Sequence, residues 1–177
     1  VTTPKLRYQV AASLDGFVAP LDGSADWLSG YGAGEYDRFI ATIGGIIMGR
    51  RGFETELTMG DWAYGHLPVV VMSRGEIEKL PPGVALGRDP AGALAALRAR
   101  VAGGDIWLYG GGTIAGAFLD AGLIDRVEVT TVPVVLGAGR SLFAGASHAH
   151  KLGLLESRTS GSTVTSAYKL APTHETP

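Results

Sequence analysis

The chain has 177 residues, 46% hydrophobic and 18% charged, which fits one domain with a real core and excludes wholesale disorder. Fifteen basic against seventeen acidic residues leave a formal charge of −2, so no general positive field exists to hold nucleic acid. Cysteine is absent, which excludes disulfides, thiolate catalysis and metal–thiolate centres together.

Leu6 to Ala12 is rich in large apolar residues and reads as a strand, running into Ser13-Leu14-Asp15-Gly16 and a polar stretch to about Gly34. Glu35 to Thr42 reads as a short helix with Tyr36, Phe39 and Ile40 on one face. Gly45–Met48 and Pro68–Met72 read as buried strands, ended by Gly49-Arg50-Arg51-Gly52 and by Ser73-Arg74-Gly75. A helix follows, capped by Asp89 with Pro90 in its first turn, and Gly103-Gly104 stops it. Asp105–Tyr109 reads as a third buried strand, leading through Gly110-Gly111-Gly112-Thr113 into a helix that reaches Ala121. Ile124–Leu136 reads as one long strand with a bend or edge at Pro133. Leu152–Ser157 and Thr163–Leu170 read as an antiparallel pair about Gly161-Ser162.

Strands alternating with helices and then a run of strands imply an α/β fold. Its central sheet is mostly parallel, with antiparallel C-terminal strands and helices on both faces. Residues 1–171 are expected to form the domain and Pro172 to Pro177 a disordered tail. Val1 to Val10 carry no apolar run of signal-peptide length, and no apolar stretch is long enough for a bilayer. The expected location is the cytoplasm, with no membrane or nucleic-acid partner.

Three of the buried strands end in glycine beside groups suited to phosphate, and the carboxyl ends of parallel strands share one crevice. The Gly110–Thr113 turn opens a helix whose free N–H groups and dipole favour an anion. Arg50, Arg51 and Arg74 add guanidiniums and Ser73 a hydroxyl. Taken singly, the glycine run is equally a tight turn and the arginines are ordinary surface charges; their coincidence at three strand ends points to a dinucleotide with an extra phosphate. Each charge-assisted bond to that phosphate is worth roughly 1.5–3 kcal/mol. A Rossmann reading of Gly110-x-Gly112 fails, because too little chain follows and no acid stands about 20 positions on at a strand end. None of His66, His148, His150 or His174 sits in a metal-binding pattern, so no metal is expected.

The segments Ala11-Ala12-Ser13-Leu14-Asp15-Gly16-Phe17-Val18-Ala19, Asp26-Trp27-Leu28, Ile47-Met48-Gly49-Arg50 and Ile106-Trp107-Leu108-Tyr109-Gly110-Gly111-Gly112 resemble, in order and spacing, the dihydrofolate reductase-like superfamily. Leu123-Ile124-Asp125, Pro133-Val134-Val135-Leu136-Gly137 and Leu142-Phe143 extend the likeness, which is greatest to the reductase domain of riboflavin-biosynthesis enzymes. The resemblance implies NADPH-dependent hydride transfer to a C=N bond of a pterin, pyrimidine or similar small heterocycle. It implies cofactor contacts at Gly49, Arg50, Arg51, Gly111, Gly112, Thr113 and Ile114, with Ser73 and Arg74 on the 2′-phosphate and Ala12, Val18 and Ala19 near the nicotinamide. Glu35 is placed as the proton-donating acid or as a solvated charge at a helix start. Asp15 orients substrate or cofactor, or simply forms an Asp-Gly turn. Thr130 faces the substrate pocket, and Trp27 walls it or packs in the core. Gln9 replaces the lysine that the riboflavin-type enzymes carry four residues before the serine, which argues against a ribose-phosphate or ribitol-phosphate substrate. The expected protein is a stand-alone homodimeric reductase. The alternatives are a reductase of another imine or carbonyl, or a non-catalytic nucleotide- or pterin-binding module.

Overall fold

The aliphatic runs assemble into an eight-stranded sheet in the computed structural model, which describes residues 3–32 and 34–171. In chain order the elements begin with β1 (Leu6–Ser13), β2 (Phe17–Ala19), a 3-10 turn at Asp26–Leu28, α1 (Glu35–Ile40), β3 (Ile43–Gly49) and α2 (Arg50–Thr58). They continue with β4 (Val69–Met72), β5 (Val84–Gly87), α3 (Pro90–Arg98), β6 (Asp105–Gly110) and α4 (Gly112–Asp120). The last are β7 (Arg126–Val132), β8 (Arg140–Ser141), β9 (Leu152–Ser160) and β10 (Thr163–Leu170).

The sheet order is β5-β4-β3-β6-β1-β7-β10-β9. Every neighbouring pair from β5 to β7 is parallel, and β10 and β9 add antiparallel at the far edge. This is the mixed architecture that the order of elements implies. A β-bulge beside Ala167 and Tyr168 interrupts the outer pair, and Leu154, Leu155 and Val164 are exposed there.

Covering both faces of the sheet explains why the central strands read as continuous apolar runs. Successive residues point to opposite faces, so each strand feeds two cores. Ile47, Val70, Ile106 and Leu108 pack with Leu94 and Leu97 of α3 and Phe118 of α4. Ile46, Met48, Val69, Val71 and Trp107 pack on the other side with Phe39 of α1 and Phe53 of α2.

Asp89 caps α3 as expected, its carboxylate accepting from the Gly92 amide at 2.8 Å, with Pro90 in the first turn. Three expectations need correction. Gly49 to Gly52 is not only a turn, because Arg50 opens the nine-residue helix α2. The first helix stops at Ile40, two residues short of Thr42. The long strand stops at Val132, because Pro133 has no N–H for the ladder and the Val134 carbonyl turns to accept from the Leu14 amide. The tail expected at 172–177 lies outside the described residues. Among the described residues, no helix is long and apolar enough to cross a membrane.

Candidate functional site

Four adjacent parallel strands, β5, β4, β3 and β6, end on one side of the sheet, and the segments after them line a single cleft of about 1780 Å³. Gly49, Arg50 and Arg51 follow β3, Ser73 and Arg74 follow β4, Arg88 follows β5, and Gly111, Gly112, Thr113 and Ile114 follow β6. The two helices that open onto the cleft, α2 and α4, have Gly49 and Gly111 as N-caps, with no side-chain hydrogen bond at either cap. Their first-turn amides therefore point at the cleft without the internal acceptor that Asp89 gives α3.

Glycine is needed twice where β6 turns into α4. Gly110 has φ of 100°, and a Cβ there would stand 3.2 Å from the Tyr8 ring. A Cβ on Gly112 would stand 2.0 Å from the Ser141 carbonyl oxygen, so only glycine lets the 141–144 backbone lie against the start of α4.

The charge in the cleft differs from that of the chain. Five arginines, Arg50, Arg51, Arg74, Arg88 and Arg140, face three glutamates, Glu35, Glu54 and Glu56, and the lining contains no aspartate or lysine. Arg50 donates through Nε to Glu54 at 2.7 Å and reaches the Glu76 carbonyl at 3.3 Å. Arg88 donates to the Ser73 carbonyl at 3.0 Å and pairs with Glu76. Arg51 and Arg74 make no ion pair or side-chain hydrogen bond among the described residues.

Val18 and Ala19 lie on β2, pinned by β8, and both line the cleft; so do Trp27 in the 3-10 turn, Glu35 at the start of α1 and Thr130 on β7. Trp27 is half-buried and lines the cleft. The Thr130 hydroxyl is 2.8 Å from that of Thr165.

Two sequence-predicted residues lie elsewhere. Ala12 is buried and off the cleft, whereas its neighbour Ala11, in register with Thr130, lines it. Asp15 is also outside the cleft. Its carboxylate accepts from Ser13 Oγ at 2.6 Å and from the Leu136 and Gly137 amides at 3.1 and 2.7 Å. Led by the Ser13 bond, these donors hold its pKa below the ordinary 3.8. The geometry makes it a pin joining the turn after β1 to the loop after β7, rather than a group facing ligand.

Sequence reasoning missed Arg88, Arg140, Glu56 and Tyr109. Tyr109 donates to Glu56 Oε1 at 2.7 Å, and burial, reinforced by that bond, pushes the phenol far above its ordinary range, so it stays a donor. The Tyr109 ring packs on Trp107, whose centroid is 4.9 Å away, and Tyr36, Phe39 and Tyr64 continue an aromatic wall around that indole. The only sequence signal for Glu56 would have been a helical reading of Arg50–Thr58. That reading places Glu56 one turn after Gly52, whose Cβ position is 3.1 Å from the Tyr109 ring.

This sheet order, with a ligand-sized cleft across the parallel strand ends, defines a dihydrofolate reductase-like α/β protein. The solved dihydrofolate reductase of Enterococcus faecalis, complexed with NADP(H), superposes with a TM-score of 0.65 at 15% identity, covering 96% of this chain and 98% of that one. Within this superfamily the chain belongs to the RibD C-terminal domain family, which matches residues 4–166. It is 31% identical over 159 residues to the Bacillus subtilis protein YwjB, spanning 88% of this chain and 91% of that one. It is 29% identical over 150 residues to the riboflavin biosynthesis protein RibD of Mycobacterium tuberculosis. That match spans 76% of this chain and only 43% of the relative.

Proposed function

We propose that the protein is an NADPH-dependent reductase that adds hydride to a C=N bond of a pterin, a pyrimidine or a similarly small heterocycle. One observation carries the reading: four parallel strand ends and two helix N-termini without side-chain caps open on one arginine-rich cleft in a chain whose overall charge is negative. The cofactor in the E. faecalis complex and the pathway in the M. tuberculosis relative's name support the cofactor and the substrate class.

The residues fit such a cofactor. The first-turn amides of α2 and α4, at Gly49–Arg51 and Gly111–Ile114, would hold its pyrophosphate, because a helix N-terminus supplies unpaired N–H groups and a positive dipole end. Arg74, Ser73, Arg50 and Arg51 would take the additional ribose phosphate, with Arg88 buttressing the Ser73 backbone. Val18 and Ala19 would border the nicotinamide, which when bound supplies the hydride.

The rest of the reaction falls to the chain's own side chains. Trp27, Thr130 and the aromatic wall around Trp107 would exclude water and orient a flat ring, so that positioning provides much of the rate. Glu35, half-buried in the cleft, would deliver the proton to the ring nitrogen as hydride reaches the adjacent carbon, converting C=N to CH–NH. The Glu56–Tyr109 pair would hold the wall in place.

The test is a thermal-melt and tryptophan-fluorescence titration with NADPH and NADH, followed by NADPH oxidation against dihydropterins, aminopyrimidines and cyclic imines. A ligand that binds only the native state raises the melting point by mass action. A clear rise with NADPH, a much smaller one with NADH, and turnover of a heterocycle are expected. Equal responses to the two cofactors, or none, would remove the arginine assignment. NADPH binding with no oxidation across the panel would make the protein a binding module.

A further inference from the structure

Among the described residues, the group of metal-ligating side chains outside the cleft lies at the other end of α4. Asp120 closes that helix, and the loop between β8 and β9 carries His148 and His150. A carboxylate oxygen of Asp120 and one ring nitrogen from each histidine all lie within 4.8 Å of one another. Asp120 Oδ1 is 2.7 Å from His150 Nε2 and 3.7 Å from His148 Nδ1.

We infer that Asp120, His148 and His150 form a binding site for a divalent transition-metal ion of the zinc class, which staples the 141–150 segment to α4. Three arguments converge on it. Four-coordinate zinc has bonds of about 2.0–2.1 Å to imidazole nitrogen and carboxylate oxygen, which places its ligands roughly 3.3 Å apart. The two distances from Asp120 Oδ1, 2.7 and 3.7 Å, fall on either side of that separation, and all three donor atoms lie within 4.8 Å of one another, so occupancy needs side-chain adjustments on the order of an ångström or less. The donor set, two imidazoles and one carboxylate, suits zinc, nickel or cobalt better than magnesium or calcium, and leaves a fourth position for water.

The surroundings are also those of a ligand set. Asp120 Oδ2 is fixed by the Ser147 amide at 2.8 Å, which leaves Oδ1 aimed at the histidines. The imidazole rings of His148 and His150 lie 4.1 Å apart, so both heads reach the same side of Asp120. The nearest competing partner is Ser147 Oγ, 2.9 Å from His148 Nδ1, and its hydroxyl can rotate away.

The consequence is mechanical. The same loop packs its backbone into α4, where a Cβ on Gly116 would stand 2.8 Å from the Ala144 carbonyl oxygen. Ser141 and Ala144, at the other end of this contact, line the cleft. A metal at Asp120 would therefore anchor a wall of the cleft from about 12 Å along the helix axis. The site itself stands independently of the reductase reading.

The test uses tag-free protein and zinc alone, followed by calorimetry, with cobalt substitution read by visible absorption. One equivalent of zinc should bind with a micromolar or tighter dissociation constant, and cobalt should give the intense bands of a four-coordinate ion. The melting point should rise by several degrees. His148→Ala, at a largely exposed ring, and Asp120→Asn, which keeps an acceptor for Ser147, should each abolish the cobalt bands while the far-ultraviolet dichroism stays native. His66→Ala should change nothing. Absence of stoichiometric binding by the unsubstituted protein would overturn the proposal, as would binding that survives both His148→Ala and Asp120→Asn.

Discussion

Arg74→Ala and Arg50→Ala separate two arginines that the sequence treats alike. Arg74 is exposed and makes no ion pair or side-chain hydrogen bond among the described residues, so it meets a phosphate at no internal cost. Removing it forfeits one charge-assisted bond at the weak end of the usual range, about 1.5 kcal/mol, or about tenfold in NADPH affinity. Arg50 is committed to Glu54 through an exposed pair at 2.7 Å. Such i,i+4 pairs are worth only about 0.3–0.5 kcal/mol, so diverting Arg50 to phosphate leaves a net gain near 1 kcal/mol, about fivefold. Both losses belong to the extra ribose phosphate, so NADH affinity should hold within twofold in each variant. Calorimetric titration of both nucleotides into the parent and the two variants provides the comparison. A parallel loss of NADPH and NADH would mean that the arginines hold the pyrophosphate or the fold, and no loss of either would place both outside the nucleotide site.

Glu35→Gln should lower kcat by about a hundredfold with NADPH affinity unchanged, the size expected for removing a general acid; full turnover would take the proton elsewhere. Gly112→Ala drives a methyl to 2.0 Å from the Ser141 carbonyl oxygen, so it should cost about 1–3 kcal/mol, or several degrees of melting point, and weaken NADPH binding together with stability. For Asp15, the folded-state pKa is depressed, so its contribution is present above the unfolded value of 3.8 and fades as pH falls through the lower folded value. Asp15→Asn should therefore be less stable than the parent near neutral pH, with the two urea midpoints converging in acid; a constant gap across that window would contradict the linkage. Light scattering should find the homodimer expected from the sequence, dispersed by Leu154→Glu on the exposed β9–β10 edge, and a monomeric parent protein would remove that expectation.

What the sequence disclosed depended on whether a residue's neighbours along the chain were also its neighbours in space. β3, β4 and β6 were legible because both of their faces are buried, which leaves apolar runs that stop at glycine or polar residues. α3 was legible because Asp89 and Pro90 mark its start. α2 was not, because Gly52, Thr55 and Thr58 lower its helix propensity, its cap is a glycine, and Phe53 is its one buried residue. Missing α2 hid Glu56, and missing the four-residue β5 hid Arg88 at its end. Asp15 was misplaced because its partners at 136–137 lie about 120 residues away, so the carboxylate looked free. Asp120, His148 and His150 failed every spacing rule for the same reason: a helix end and a distant loop meet only after the sheet has formed.

The central place of β1 has a consequence for how the molecule assembles. β1 pairs with β6 through Leu6↔Ile106 and with β7 through Arg7↔Arg126, so both of its neighbours emerge about a hundred residues later in synthesis. The contiguous stretch from β3 to α3 has its pairings close at hand and nucleates at a lower loop-closure cost. β1, made before either neighbour, is thus seated late, and Leu6 and Tyr8, both fully covered in the native state, stay available to other chains until β7 has emerged. Soluble yield is then governed by how quickly this middle seam closes, and substitutions along β1 and β7 will alter expression at positions that no ligand ever touches.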